Sequence, residues 1–240
     1  MFRAITRSNL NSAFLGVLIC AAALSCSTAS PIKAAKDPYY LTVESLKTIH
    51  VGPPVALGSA QDQLDVKAVK AAQSARTSED CKRAQAEAVT VPPSYQEMFG
   101  EVGPFPAPLS GEAKAFLIHV WSDLSIVSDG IKQEYKWPRV FTVDSSIEPC
   151  VKKTPSPAFP SGHTVNSRVL ALVLSEIEPG KRGVYLKRAD EVAQDRVIAG
   201  VHRPSEIAAG KALADQIFAG MMKAEEFRRD LAKVKALVQK

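Results

Sequence analysis

Past its first thirty residues the sequence holds no apolar run long enough to cross a bilayer as a helix, which excludes a protein built from several spanning helices. Cysteine is scarce, with four in 240 residues, two of them (Cys20 and Cys26) in the leading segment. No cluster of His, Cys, Asp and Glu has convincing metal-ligand spacing, so no metal and no cofactor is expected. The net charge is only +5 and its carriers are dispersed, which is too mild to argue for a nucleic-acid partner. Alternating strand patterns and internal repeats are also missing. What remains is helical periodicity, and the fold class is read as all-α.

The leading segment, MFRAITRSNLNSAFLGVLICAAALSCSTAS, places Arg3 and Arg7 before an apolar stretch from Ala13 to Leu24 and a run of small residues. That is the pattern of an export signal, with cleavage expected after Ala29. The apolar part is about a dozen residues, short of the roughly 20 that a span needs. Ala23-Leu24-Ser25-Cys26 offers an alternative, a loose lipobox that would make Cys26 a lipid anchor. On this reading residues 1–29 are a signal peptide, 30–60 an extended Pro-rich arm and 61–240 one helical domain, periplasmic or secreted. Of an exported chain's cysteines Cys81 and Cys150 remain, and a disulfide between them is expected, with two buried thiols as the alternative.

Apolar spacing predicts helices from Gln61 to about Ala75, from Glu79 to about Ala88 behind Ser78, and from Ser110 to about Lys136. Another starts at His163, one runs from about Gly183 to Ala199, and a last one runs from Pro204 toward the C-terminus. The stretch VPPSYQEMFGEVGPFPAPLSG reads as a turn-rich linker, and RVFTVDSSIEPCVKKTPSPAFPSGH as a long irregular connection. Long ordered loops tend to be functional.

Several residues sit where bulk physics would not put them. Arg196 shares a helix face with Ala189, Val192 and Ala193, so a guanidinium falls on a stripe that should be buried and needs an anion. Six residues on comes His202, and Glu206 follows at i+4, close enough to hold its ring. In FPSGHT, residues 159–164, Ser161 and Gly162 open a helix whose free N–H groups form an anion site, with His163 beside them. Lys132 extends the face of Trp121, Ser125 and Ser128, and Arg139 lies just past that helix end. Each has a bland reading alone, as a solvated cation or a structural histidine. His50 and His119 are read as structural.

Together these residues resemble the type 2 phosphatidic acid phosphatase superfamily, and within it the exported class A bacterial acid phosphatases. The signature of that class reads K-x6-R-P, then P-S-G-H, then S-R-x5-H-x3-D. Lys132 and Arg139 stand with six residues between them, Pro160-Ser161-Gly162-His163 is intact, and Arg196, His202 and Glu206 keep the later spacings. The resemblance covers about a third of the chain. It implies a helical domain of the superfamily's type and a metal-independent phosphomonoesterase acting on small phosphorylated substrates. His202 would be the nucleophile, Glu206 its holder, and His163 the acid and then base. Lys132, Arg139, Ser161, Gly162 and Arg196 would hold the phosphoryl oxygens. Val140, Asp195 and Glu206 depart from the signature's Pro, Ser and Asp. A phosphate-binding member without turnover and a vanadate-dependent haloperoxidase are the alternatives, inorganic phosphate is an alternative ligand, and a homo-oligomer is left open.

Overall fold

The computed structural model describes residues 37–88 and 92–239; the expected signal peptide and the Cys26 anchor lie outside them. Among the described residues the regular structure is entirely helical. Two helices, α1 (Val43–Thr48) and α2 (Ala60–Ala75), precede α3 (Ser78–Glu87), which Thr77 caps in a reciprocal box with Asp80. Then come α4 (Tyr95–Phe99), the long α5 (Gly111–Tyr135) and the single turn α6 (Val140–Val143). The centre of the fold is α7 (Gly162–Ile177), followed by α8 (Arg182–Ile198), α9 (Pro204–Lys223) and α10 (Glu225–Val238). None is long and apolar enough to cross a membrane.

A helix that is apolar all round belongs in the middle of a bundle. Helix α7 buries Val165, Val169, Leu170, Val173, Leu174 and Ile177, and α5, α8, α9 and α10 pack around it. Its N-terminal turn, where the Pro-Ser-Gly-His stretch lies, is therefore fixed from several sides at once.

Three short helices lie in stretches that read as irregular: α1 in the N-terminal arm, α4 in the turn-rich linker and α6 in the long connection. None is long enough to display a period. The order of α4 and α6 comes from burial, with Tyr95, Met98 and Phe99 of α4 and Val140 of α6 in the core. The arm is held by a buried carboxylate: Asp123 of α5 accepts the N–H groups of Tyr39, Tyr40 and Leu41 at 2.6, 2.8 and 2.8 Å.

The last helical segment is two helices rather than one. Ala224 turns to extended backbone (ψ 131°), and the Arg228 side chain donates to the final carbonyls of α9, those of Met222 and Lys223. The break lets α10 fold back so that Phe227 is buried among Tyr40, Phe116 and Phe218. No Pro or Gly marks it, because the tertiary contact of Phe227 sets it.

Cys81 of α3 is bonded to Cys150, 69 residues on. Closing a loop of that length stabilises a fold by about 4 kcal/mol in the chain-entropy account. Here it also fastens α3 to the long connection that walls the site.

Candidate active site

His202 is delivered by the end of α8. Gly200 takes φ +75°, the left-handed conformation that stops a helix, and the N–H groups of Val201 and His202 turn back onto the Arg196 carbonyl at 3.1 and 3.3 Å. Pro204 then opens α9 as its first residue, and Glu206 sits one turn inside it.

The bonds around His202 fix its tautomer. Glu206 Oε2 lies 2.7 Å from Nδ1, and Arg139 Nη1 lies 2.7 Å from Nε2. An arginine can only donate, so Nε2 carries the lone pair and Nδ1 carries the proton. Glu206 also accepts the Arg203 backbone N–H at 3.1 Å and Arg203 Nη1 at 3.0 Å, so three donors face it. Burial pushes the Glu206 carboxyl up to about 7, against the pull of Arg203. Burial first, then the cations Arg139 and Lys132, hold the His202 imidazole well below its ordinary range.

Opposite, Gly162 opens α7 and His163 is its second residue. His163 Nε2 is buried with no hydrogen-bond partner. Burial, then Arg196 and Arg139, lower its pKa to about 3, while a bond to the Glu87 backbone carbonyl works the other way. Ser161 is fully buried; its N–H donates to the Glu206 carbonyl at 3.2 Å and its Oγ accepts from Thr164 Oγ1 at 2.9 Å. The serine thus ties the start of α7 to the start of α9.

Lys132 projects from the last turn of α5 and donates to the carbonyls of Pro157 and Pro160 at 2.8 and 2.6 Å. Burial, then the charge of Arg139, bring its pKa down to about 8. Arg139 donates to the Ser156 and Val201 carbonyls at 2.9 and 3.2 Å. Arg196 is less free than its place on the helix suggests: Nη2 donates to Glu87 and to the Ala84 carbonyl at 2.9 and 2.8 Å, while its buried Nε has no partner. Asp195 does not confront a ligand. Its carboxylate faces the other way, in a doubled 2.7 Å pair with Arg83 of α3.

Two cavities meet at the histidine pair. One, of about 410 Å³, is walled by Lys152, Lys153, Val151 and Arg196; the other, of about 280 Å³, runs along α5. Arg139, Thr154, His163 and His202 line both. Lys132 and Gly162 line the second. His50 and His119 line neither; His119 stacks on Tyr39 with ring centroids 3.6 Å apart.

Three residues of this arrangement escape sequence reasoning. Glu87 holds both Arg196 and Arg188, at 2.9 and 2.6 Å. Arg203, 1% exposed, spans from Glu206 to Asp62 of α2, which its Nε reaches at 2.8 Å. Asp62 and Glu87 come from helices far away in sequence, so no local spacing points to them. A charged residue right after a candidate nucleophile is the one signal available for Arg203.

The sequence profile of the PAP2 superfamily matches residues 124–229. Over 78 residues the chain is 40% identical to the non-specific acid phosphatase of Salmonella typhi, covering 32% of this chain and 31% of that protein. It is 41% identical over 78 residues to that of Providencia stuartii, covering 32% of each. The match thus spans about a third of the length of these curated relatives. Among solved structures, a bacterial vanadium-dependent iodoperoxidase aligns with TM-score 0.53 at 19% identity, over 75% of this chain and 53% of that one. A transmembrane PAP2-type phosphatidylglycerolphosphate phosphatase from Bacillus subtilis aligns with TM-score 0.51 at 19% identity, over 75% and 90%. Both share the helical fold. The matched segment runs from α5 into α10 and encloses the paired histidines, so it is residues 124–229 that carry the likeness to the PAP2 superfamily.

Proposed function

We propose that this protein is an exported acid phosphatase that hydrolyses phosphomonoesters through a phosphohistidine on His202. The observation that carries the reading is the bond pattern of His202. Its Nδ1–H is held by Glu206, and its Nε2 lone pair faces a cavity that it shares with His163, Lys132 and Arg139. That is an activated nucleophile with a positioned holder.

Arg139 rests on the lone pair. A phosphoryl group entering between His202 and His163 takes over that hydrogen bond and frees Nε2 for attack. The Nε2–P bond forms as the P–O bond breaks, and His163, protonated in the complex, gives its proton to the leaving oxygen. His163 then removes a proton from water, which attacks phosphorus and breaks the N–P bond. Phosphate leaves and both rings return to their starting states. Lys132 and Arg139 carry the charge that spreads over the equatorial oxygens, aided by N–H groups at the start of α7 and the unpaired Nε of Arg196.

Hydrolysis of p-nitrophenyl phosphate tests the reading. Turnover in mild acid is expected to survive a chelator, to stop with vanadate, and to vanish in His202→Ala. Full turnover by that variant rejects the assignment.

A further inference from the structure

Among the described residues His163 Nε2 and Arg196 Nε are buried without partners, and both side chains are held through another nitrogen by one residue, Glu87 of α3. The Glu87 backbone carbonyl accepts from the His163 ring. Since Nε2 is unpaired, Nδ1–H makes that bond, which leaves Nε2 with its lone pair. The Glu87 carboxylate takes Arg196 Nη2 at 2.9 Å and Arg188 Nη2 at 2.6 Å, and the Ala84 carbonyl takes Arg196 Nη2 at 2.8 Å. Buried polar atoms left unmade work against folding, so two of them on residues that line one cavity point to a ligand. Glu87 is what keeps both aimed.

Apart from the ion pairs of Arg83 and Glu87, little fastens α3 itself. Of its ten residues only Ala84 and Glu87 are buried, so the helix has almost no apolar face to hold it down. Ala84 lies in a small cluster with Ala199, Val201, Phe141, Cys150 and Val151, apart from the main core around α7. The Cys81–Cys150 bond ties α3 into that cluster, and Gln85 Nε2 adds a 2.6 Å bond to the Cys150 carbonyl. Both cysteines are half-buried, within reach of a small reductant. The residues after Cys150, from Val151 to Thr154, wall the cavity that His163 and Arg196 line.

We propose that Glu87 is a positioning residue for the acid–base ring and for the phosphate-holding arginine, and that the Cys81–Cys150 bond keeps it in place, so that reducing this disulfide lowers turnover while the main core stays folded. The assignment rests on the phosphatase reading and adds a control to it. A dithiol supplies the two electrons and two protons that convert the bond into two thiols, and itself closes to a cyclic disulfide. Released from Cys150, α3 draws the Glu87 carbonyl away from His163, whose proton then exchanges between Nδ1 and Nε2. Arg196 loses its anchor in the same movement.

The test compares the full chain before and after dithiothreitol, with mass spectrometry establishing that Cys81 and Cys150 are reduced. The readouts are kcat/KM for p-nitrophenyl phosphate, far-ultraviolet circular dichroism, and nitrogen-edited NMR of the histidine rings. Reduction is expected to lower kcat/KM about tenfold or more, since small misplacements of reacting groups cost that much. Helix content is expected to hold, while His163 passes from the single Nδ1–H tautomer to a mixture, and reoxidation restores both readings. The double substitution Cys81→Ser and Cys150→Ser should behave as the reduced protein without any dithiol. Glu87→Gln in the oxidised protein sets an amide NH2 against one of the two guanidinium groups. It is expected to lower kcat/KM about tenfold and to leave the His163 tautomer alone, because the carbonyl is untouched. Turnover unchanged by reduction, turnover lost only in step with helix, or unchanged kcat/KM in a folded Glu87→Gln overturns the proposal. If that variant does not fold, the reduction experiment decides. A tautomer mixture on reduction with no ester hydrolysed in either state would leave the positioning role standing and reject only the phosphatase reading. One tautomer in both states overturns the positioning role.

Discussion

Three donors converge on the Glu206 carboxylate, and one of them, Arg203, is itself anchored by Asp62 on a different helix. The glutamate is a longer arm than the aspartate in the resembled signature, and Arg203 supplies the second hold that keeps the longer arm still. Asp62 lines neither cavity, so its influence on chemistry must pass through Arg203 and Glu206. Asp62→Asn is expected to lower kcat about tenfold with little change in KM, as a misplaced holder of the nucleophile would. It should also lower stability by about 1–3 kcal/mol, because Arg203 loses a charged partner. Steady-state kinetics and urea denaturation check both, and a proportionate rise in KM would place Asp62 in binding instead. The same logic accounts for Asp195. A carboxylate where the signature has serine reads as a threat to phosphate, yet Arg83 draws it away from the cleft. That partner lies 112 residues away and leaves no trace in local spacing.

At the level of elements, the site is a meeting of helix ends: the last turn of α5, the first turns of α7 and α9, and the end of α8. Gly210 of α9 makes the closest approach possible. A Cβ there would lie 3.0 Å from the Ser161 carbonyl oxygen and 3.0 Å from Thr164 Cβ. Gly210→Ala is therefore expected to push the start of α7 away by a few tenths of an ångström and to cost activity, about tenfold in kcat, more than stability. Kinetics and thermal melting of that variant would show it; unchanged kcat would mean that the α7–α9 contact does not set the geometry. The long helices were legible because their apolar positions repeat at helical spacing over several turns. Those of α2, α5, α7 and α8 lie within a residue or two of where that spacing places them. Helices α1, α4 and α6 are too short to show a period, and the break at Ala224 depends on where Phe227 packs. The order and spacing of Lys132, Arg139, His163, His202 and Glu206 could be read along the chain. The commitment of Arg196 to Glu87 could not, because it needs α3 folded against α8.

Taken as a whole, the molecule gathers the buried cations Lys132, Arg139 and Arg196 around the histidine pair, a local positive charge that an anion relieves. His163 and His202 both have folded pKa values below the ordinary imidazole value, so the unfolded chain binds more protons than the folded one as pH falls below about 6.5. Their contribution to stability is thus present at neutral pH and lost progressively toward about pH 3, where His163 titrates. A bound dianion reverses the repulsion from Arg196 and Arg139, lets His163 take a proton, and so binds more tightly as pH falls. Lys132, with its pKa near 8, adds a loss of affinity above that pH. Sulfate keeps both charges throughout, so millimolar sulfate is expected to raise Tm more at pH 5 than at pH 8, and the difference should shrink in His163→Asn to the part that Lys132 contributes. An equal rise at both pH values in the native protein would contradict the coupling. The most direct measurement is to quench turnover of a phosphorus-labelled ester within milliseconds and map the label. The account predicts an acid-labile, base-stable phosphoryl group on the peptide containing His202, absent in His202→Ala. Rapid hydrolysis with no labelled peptide, or with the label on His163, would contradict it.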